Sequence, residues 1–194
     1  IIDIATGAVH KAEALLRWRR PDGALSLPAE FVGIAEETGL IHEIGDWVFR
    51  EAAHWSQRWS GMLGRPFQVS INKSPVQFQP HADEMDWVSY LVKAGMPHNS
   101  IAVEITEGLL LNLTDDVFAK LHQLQKGGME VSIDDFGTGY SSMSYLKRLD
   151  IDYLKIDRSF VSEMLHDRTT QTITETIIVM AHKLGLKVIA EGVE

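Results

Sequence analysis

Glu130-Val131-Ser132-Ile133-Asp134-Asp135 is a short β-rich run ending on two adjacent acids, and its pattern recurs along the chain. Val9 to Trp18 carries Glu13, and Phe67 to Ile71 leads into Asn72. Ile101 to Val103 leads into Glu104, with Glu107 just beyond. Asp152 to Leu154 leads into Lys155, and Lys187 to Ala190 into Glu191. Helical stretches separate these runs. Strands alternating with helices predict a parallel sheet with crossover connections. In a closed parallel barrel every strand's C-terminal end lies on one face, where active sites are built. Residues scattered along the chain would then meet in one acidic cup. An open doubly wound sheet instead gathers its ligands at one switch point. Groups at nearly every strand end suit a closed ring, so the expected fold is α/β, of the TIM (β/α)8 type.

The helices between the runs have their own signals. Pro28 suits the first turn of a helix and Gly39 its end. From about Ile41 to Ser60, the apolar positions Ile41, Ile44, Val48, Ala52, Trp55 and Trp59 fall on one face at helical spacing. The Trp pair is read as core packing rather than a stacking platform. Further helices are expected near Asp83 to Ala94, Asp115 to Lys126, Ser141 to Arg148 and Thr169 to Leu184. Arg19 to Leu25, with Pro21-Asp22-Gly23, reads as a polar turn.

Composition narrows the chemistry. The 194 residues are 45% apolar, and the mean hydropathy is −0.05, the profile of one globular domain spanning residues 1–194. No apolar run approaches the ~18 residues of a membrane span, and Ile1 to Ala5 lacks the features of a signal peptide. The absence of cysteine rules out disulfides, thiolate metal sites and a thiol nucleophile, and fits a cytoplasmic setting. With 18 Lys and Arg against 27 Asp and Glu, the formal charge is −9. Such a chain is poorly suited to duplex DNA or an anionic membrane. A nucleotide substrate stays open if metal ions invert the local charge.

Glu13, Glu104, Asp134, Asp135 and Glu191 are the carboxylates of the expected cup. Two like charges 4 Å apart repel by roughly 4 kcal/mol at an effective dielectric of 20. Such a cluster must protonate, spread or bind cations. With the Asn72 oxygen it forms a hard donor set suited to Mg²⁺ or Mn²⁺. Adjacent Asp134 and Asp135 can serve two ions, and paired ions stabilise the attacking and leaving oxygens of an in-line phosphoryl displacement. Each residue also has a plainer reading. A single strand-end acid is often a helix cap or a surface ion pair. Asp134-Asp135 before Phe136-Gly137-Thr138-Gly139 can shape a turn, and Lys155 can be a solvated charge. Recurrence at every strand end favours a metal site. Asp135-Phe136-Gly137 spells a kinase triplet without the rest of that signature. Gly137-x-Gly139 lacks the lysine of a phosphate loop. The eight histidines are dispersed.

Together the runs resemble the EAL family of cyclic di-GMP phosphodiesterases. Glu13-Ala14-Leu15-Leu16-Arg17-Trp18 is similar to the motif that names the family. Val69 to Pro75, Glu104-Ile105-Thr106-Glu107 and Asp134 to Ser142 resemble its next three motifs. Lys155 to Phe160 and Glu191-Gly192-Val193-Glu194 resemble its last two. The resemblance implies a modified TIM barrel that hydrolyses cyclic di-GMP to linear pGpG, activated by two ions of Mg²⁺ or Mn²⁺ and inhibited by Ca²⁺. By resemblance Glu13, Asn72, Glu104, Asp134, Asp135 and Glu191 hold metal. Lys155 contacts the attacking water, and Glu191 binds metal or acts as general base. Arg17 holds a substrate phosphate through its planar fork, with Asp157 and Glu194 on the substrate side. Glu107 braces the loop from Asp134 to Ser142. A homodimer, and sensory or diguanylate-cyclase domains in a membrane-anchored or soluble parent, are further expectations. An eroded relative would instead be a cyclic di-GMP receptor or a protein-interaction module, but the metal set here is intact.

Segments resembling the family's first strand and its last strand and helix are expected beyond both ends of this sequence. A barrel lacking them exposes sheet edges. The 194 residues expressed alone are therefore expected to be unstable or inactive. A cooperative thermal melt together with full activity from this fragment would contradict that.

Overall fold

The computed structural model describes residues 1–81, 84–111, 113–139, 146 and 149–193. The strands are β1 (Lys11–Ala14), β2 (Trp18–Arg19), β3 (Leu25–Ser26), β4 (Gln68–Asn72), β5 (Ile101–Thr106), β6 (Glu130–Phe136), β7 (Tyr153–Ile156) and β8 (Lys187–Ala190). The helices are α1 (Pro28–Thr38), α2 (Ile41–Leu63), α3 (Trp87–Lys93), α4 (Glu107–Leu111), α5 (Asp115–Lys126), α6 (Arg158–Glu163) and α7 (Arg168–Lys183). Every β-rich run of the sequence contains a strand. The polar turn after Trp18 is flanked by the small antiparallel pair β2–β3. Of the helix expected from Ser141 to Arg148 only Leu146 is described. The one expected from Asp83 is corrected to start at Trp87, where Asp86 caps it by accepting from the Ser89 N–H, and residue 83 itself lies outside the described residues. No described helix is long and apolar enough to cross a membrane.

The chain divides into two compact units, Ile1–Val103 with Gly127–Met129, and Glu104–Lys126 with Glu130–Glu194. In the first unit β1 pairs in parallel with β4, Glu13 standing opposite Ser70 and Ala14 opposite Ile71. Helix α1 starts on Pro28 and stops at Gly39, whose φ of 78° suits glycine. Helix α2 packs on β4. Its inward stripe is Ile41, Gly45, Phe49, Ala52, Ala53 and Ser56. That corrects the expected face: Ile44, Val48 and Trp59 lie on its flank, and Trp55 is 38% exposed. The period is right but the phase is turned. The inward stripe mixes the large Ile41 and Phe49 with small residues, and the tryptophans fall beside it. Two α2 hydroxyls clamp the residue before β4: Ser56 Oγ donates to the Phe67 carbonyl at 2.6 Å, and the Phe67 N–H donates to Ser60 Oγ at 2.9 Å.

In the second unit β6, β7 and β8 pair in parallel in that order. Val131, Ile133, Leu154 and Ile156 are fully buried. Helix α5 covers β6 with Val117 and Leu121, and α7 covers β7 and β8 with Ile177 and Ala181. Asp167 caps α7, accepting from the N–H groups of Thr169 and Thr170 at 3.3 and 2.8 Å. Strand–helix alternation thus delivers each strand's C-terminal end to the same side of its unit, as parallel pairing requires.

Gly45 marks a close approach in the first unit, because a Cβ there would overlap the amide of buried Gln77. Gly45→Ala is expected to destabilise by about 1–3 kcal/mol through overpacking, read as a lowered urea midpoint. An unchanged midpoint would mean that Gln77 swings aside freely.

Candidate active site

Asp134 and Asp135 are neighbours on one strand, so simple alternation would point them to opposite faces. The register shows how this is avoided. Ile133 lies opposite Leu154 and Phe136 opposite Ile156, so two residues of β6 face Lys155 alone on β7. That is a β-bulge, a device that re-aims side chains at the ends of strands. Asp135 takes φ 53°, a left-handed conformation that a non-glycine residue adopts at a cost. Its N–H donates to Asp134 Oδ1 at 3.0 Å. The bulge brings carboxylate oxygens of Asp134, Asp135 and Glu191 within 4.8 Å of one another.

Lys155 holds the centre of this unit's site. It is 1% exposed, and Nζ lies 2.5 Å from Glu104 Oε2, 2.7 Å from Glu191 Oε1 and 3.0 Å from Asp134 Oδ1. The solvated-charge reading of Lys155 is therefore corrected. Burial alone would push the ammonium's pKa down. The carboxylates, Glu104 foremost and then Glu191 and Asp134, outweigh burial and hold it above the ordinary lysine range. Its folded-state pKa is raised, so its stabilising effect is complete at neutral pH and lost only as pH climbs through the raised value. Glu104 lies inside β5 rather than beyond a strand's end, and its side chain is fully buried.

Behind the bulge, the N–H groups of Gly137 and Gly139 donate to Glu107 Oε2 at 2.9 and 3.3 Å. Glu107 opens α4 and is 3% exposed. Gly137 has φ 100°, and a Cβ there would stand 2.9 Å from the Phe160 ring, so both conformation and space require glycine. Asp157 caps α6, accepting from Ser159 N–H at 3.0 Å and Ser159 Oγ at 2.5 Å. The Ser159 hydroxyl lowers its pKa. Glu194 lies outside the described residues.

In the first unit, Asn72 closes β4 and its Nδ2 donates to Glu13 Oε1 on β1 at 3.0 Å. The amide's remaining polar atom, Oδ1, is an acceptor. Arg17 follows β1 in an exposed segment, its Nη1 donating to the Leu16 carbonyl at 2.7 Å. Arg17 also lines a cavity of about 330 Å³ with Trp47, Trp55 and Trp59, so the tryptophans wall a groove rather than fill a core. The donors of both units are carboxylate and amide oxygens with no sulfur or imidazole, the set that fits a hard divalent cation.

Parallel strands joined through helices, with acids and a buried lysine at their ends, define an α/β domain carrying an acidic strand-end site. The chain belongs to the EAL domain family, whose model matches residues 1–194. It is 41% identical over 196 residues to the cyclic di-GMP phosphodiesterase NbdA of Pseudomonas aeruginosa, covering 100% of this chain and 25% of NbdA. The chain spans about a quarter of the length of the curated relatives it matches. Among solved structures, the MucR phosphodiesterase of P. aeruginosa in complex with cyclic di-GMP superposes with a TM-score of 0.90 at 39% identity, covering 100% of this chain and 78% of that one. The manganese and cyclic di-GMP complex of Klebsiella pneumoniae BlrP1 superposes with a TM-score of 0.72 at 31% identity, covering 98% of this chain and 47% of that one. The fold is thus the TIM-barrel-like fold of EAL domains. The bulge and the burial of Lys155 had no signal in the sequence beyond the adjacency of two acids.

Lys155→Met removes the counter-charge from the buried Glu104 carboxylate. In metal-free buffer it is expected to cost about 3–5 kcal/mol of stability, the usual result of breaking a buried pair. An unchanged urea midpoint would show that the carboxylates relax without the lysine.

Proposed function

We propose that this domain hydrolyses cyclic di-GMP to linear pGpG with two bound Mg²⁺ or Mn²⁺ ions. The observation that carries the reading is the protonated, buried Lys155 among Glu104, Asp134 and Glu191, with Asp135 turned toward the last two by the bulge. An acidic set of this density, balanced by one lysine, calls for cations before an anionic substrate can enter. The metal ligands are Glu13, Asn72, Glu104, Asp134, Asp135 and Glu191. Bound divalent ions lower the pKa of water and offset charge on phosphate oxygens.

The remaining steps belong to the protein. Lys155 stays protonated, so it cannot deprotonate the attacking water. Its three N–H groups are shared among Glu104, Asp134 and Glu191, and one becomes available to the water once a carboxylate turns away to a bound cation. The proton passes to a carboxylate, and Glu191, whose side chain is 25% exposed, is the most accessible of those touching Lys155. The water oxygen bonds to phosphorus, the bond from phosphorus to the ribose 3′-oxygen breaks, and that oxygen takes a proton from solvent while the acceptor carboxylate returns its own to solvent. The ring opens to a linear dinucleotide with a 5′-phosphate. Arg17 offers a planar fork to a non-bridging phosphate oxygen. Glu107 fixes the loop that carries Asp134 and Asp135. Asp157 and Glu194 act on the substrate side. The domain works as a homodimer within a longer cytoplasmic or membrane-anchored signalling protein.

The test is incubation of the domain, carried in its longer parent protein because the 194 residues alone are expected to be unstable or inactive, with cyclic di-GMP and Mn²⁺, resolving products chromatographically, beside Glu13→Ala. Linear pGpG from the parent, reduced more than about 100-fold in the variant, is the expected result. Saturable binding of cyclic di-GMP without product would replace the enzyme reading with that of a receptor.

A further inference from the structure

Asn72 ends β4, and the backbone leaving it is held by side chains from other elements of the first unit. Ser74 Oγ donates to Glu36 Oε1 on α1 at 2.5 Å. The same Oγ accepts from the Val76 N–H at 3.2 Å, while the Ser74 N–H donates to Gln77 Oε1 at 3.0 Å. This reciprocal cap locks residues 74–77 into a short 3-10 turn. Gln77 is itself wedged against Gly45 of α2. Between Asn72 and Ser74, Lys73 is 9% exposed, with Nζ 3.7 Å from the centre of the Trp87 ring and 5.3 Å from that of Phe78. The Trp87 indole N–H is anchored on Asp46 Oδ1 at 2.8 Å.

We infer that Glu36 and Ser74 form a positioning pair for Asn72, fixing the direction in which its carboxamide oxygen is presented to a divalent cation. The inference rests on the proposed reading of Asn72 as a metal ligand. Neutral amide oxygens are weak ligands compared with carboxylates, so their contribution depends on being held within about 0.5 Å of the productive position. The Asn72 side chain is oriented at one end by Glu13, through the bond from Nδ2. Its backbone is oriented at the other end by the turn that starts at Ser74. A hydroxyl–carboxylate bond is charge-assisted and roughly twice as strong as a neutral one. It ties that turn to α1, which is remote in sequence. Loss of the Ser74 hydroxyl removes both this tie and the bond to Val76 N–H. Loss of the Glu36 carboxylate removes the tie alone.

The experiment is a titration of Mn²⁺ without substrate on the domain carried in its longer parent protein, following free Mn²⁺ by electron paramagnetic resonance. It compares the parent, Asn72→Ala, Ser74→Ala, Glu36→Ala, the Ser74→Ala/Glu36→Ala double variant and Ser74→Thr. Each single alanine variant at 36 or 74 is expected to weaken Mn²⁺ binding about tenfold. The double variant is expected to bind as Ser74→Ala alone does, because that change already cuts the link that Glu36→Ala removes. Ser74→Thr retains the hydroxyl and is expected to bind as the parent does. Glu36 is half-buried on a helix, where alanine is well tolerated, so that arm stands if Ser74→Ala fails to fold. Parent-like binding by Glu36→Ala, or factors that multiply in the double variant, would overturn the pair while leaving the metal site intact. Parent-like binding by Asn72→Ala, or no binding by the parent, would overturn the reading of Asn72 and the pair with it.

Discussion

A single ammonium group buried among carboxylates constrains much of the second unit. Lys155 Nζ has a carboxylate oxygen from β5, one from β6 and one just beyond β8 within 3.0 Å. An ammonium of this burial is tolerable only if several acceptors converge on it. Three chain segments must therefore be in register before the charge is satisfied. The same condition applies in reverse to Glu104, whose side chain has no exposure. The polar centre and the apolar layer of Val131, Ile133, Leu154 and Ile156 are thus alternate sides of the same strands. Correct pairing of one enforces correct pairing of the other.

The bulge on β6 is the second constraint, and it follows from the first. A regular strand would give Lys155 one acid and turn the next one away. Inserting a residue keeps Asp134 on Lys155 and brings Asp135 round to the same side, at the cost of a left-handed φ at Asp135. That cost is offset locally. The Asp135 N–H is satisfied by Asp134, and the chain beyond is pinned at Gly137 and Gly139 by one buried oxygen of Glu107. Strain of this kind persists where surrounding contacts over-determine the backbone.

Much of this was legible in the sequence, for identifiable reasons. Strand positions were readable because apolar runs such as Glu130 to Ile133 are short, β-branched and bounded by acids and glycine. The groups that the structure gathers around Lys155, and the Glu13–Asn72 pair, were readable because chemical groups recurred at those boundaries. Helix α1 declared its ends through Pro28 and Gly39. The phase of α2 was not readable, because four of the six residues on its inward stripe, Gly45, Ala52, Ala53 and Ser56, are small and carry little hydrophobic signal beside Ile41 and Phe49. A pattern search weighted toward large apolar side chains settles on the tryptophans instead. The burial of Lys155 was hidden for a related reason. A lysine at a strand end looks the same in sequence whether it meets water or three carboxylates, and only tertiary pairing decides. The turn after Asn72 was hidden because its partners, Glu36 and Gly45, lie on other helices.

The choice of an amide at residue 72 completes the physical picture of the first unit. A carboxylate there would stand at hydrogen-bond distance from Glu13, and two like charges about 4 Å apart repel by roughly 4 kcal/mol at an effective dielectric of 20. Asparagine avoids that repulsion and replaces it with a bond, because its Nδ2 donates to Glu13 Oε1 at 3.0 Å. The donation also fixes which end of the amide carries nitrogen, leaving the oxygen as the group available to a cation. An aspartate offers no such distinction, since its two oxygens are equivalent. The neutral side chain therefore supplies orientation that a charged one lacks, while adding nothing to the negative charge beside Glu13. The backbone behind it is held by the reciprocal Ser74–Gln77 cap, by the Ser74 bond to Glu36, and by Lys73 lying on the Trp87 ring.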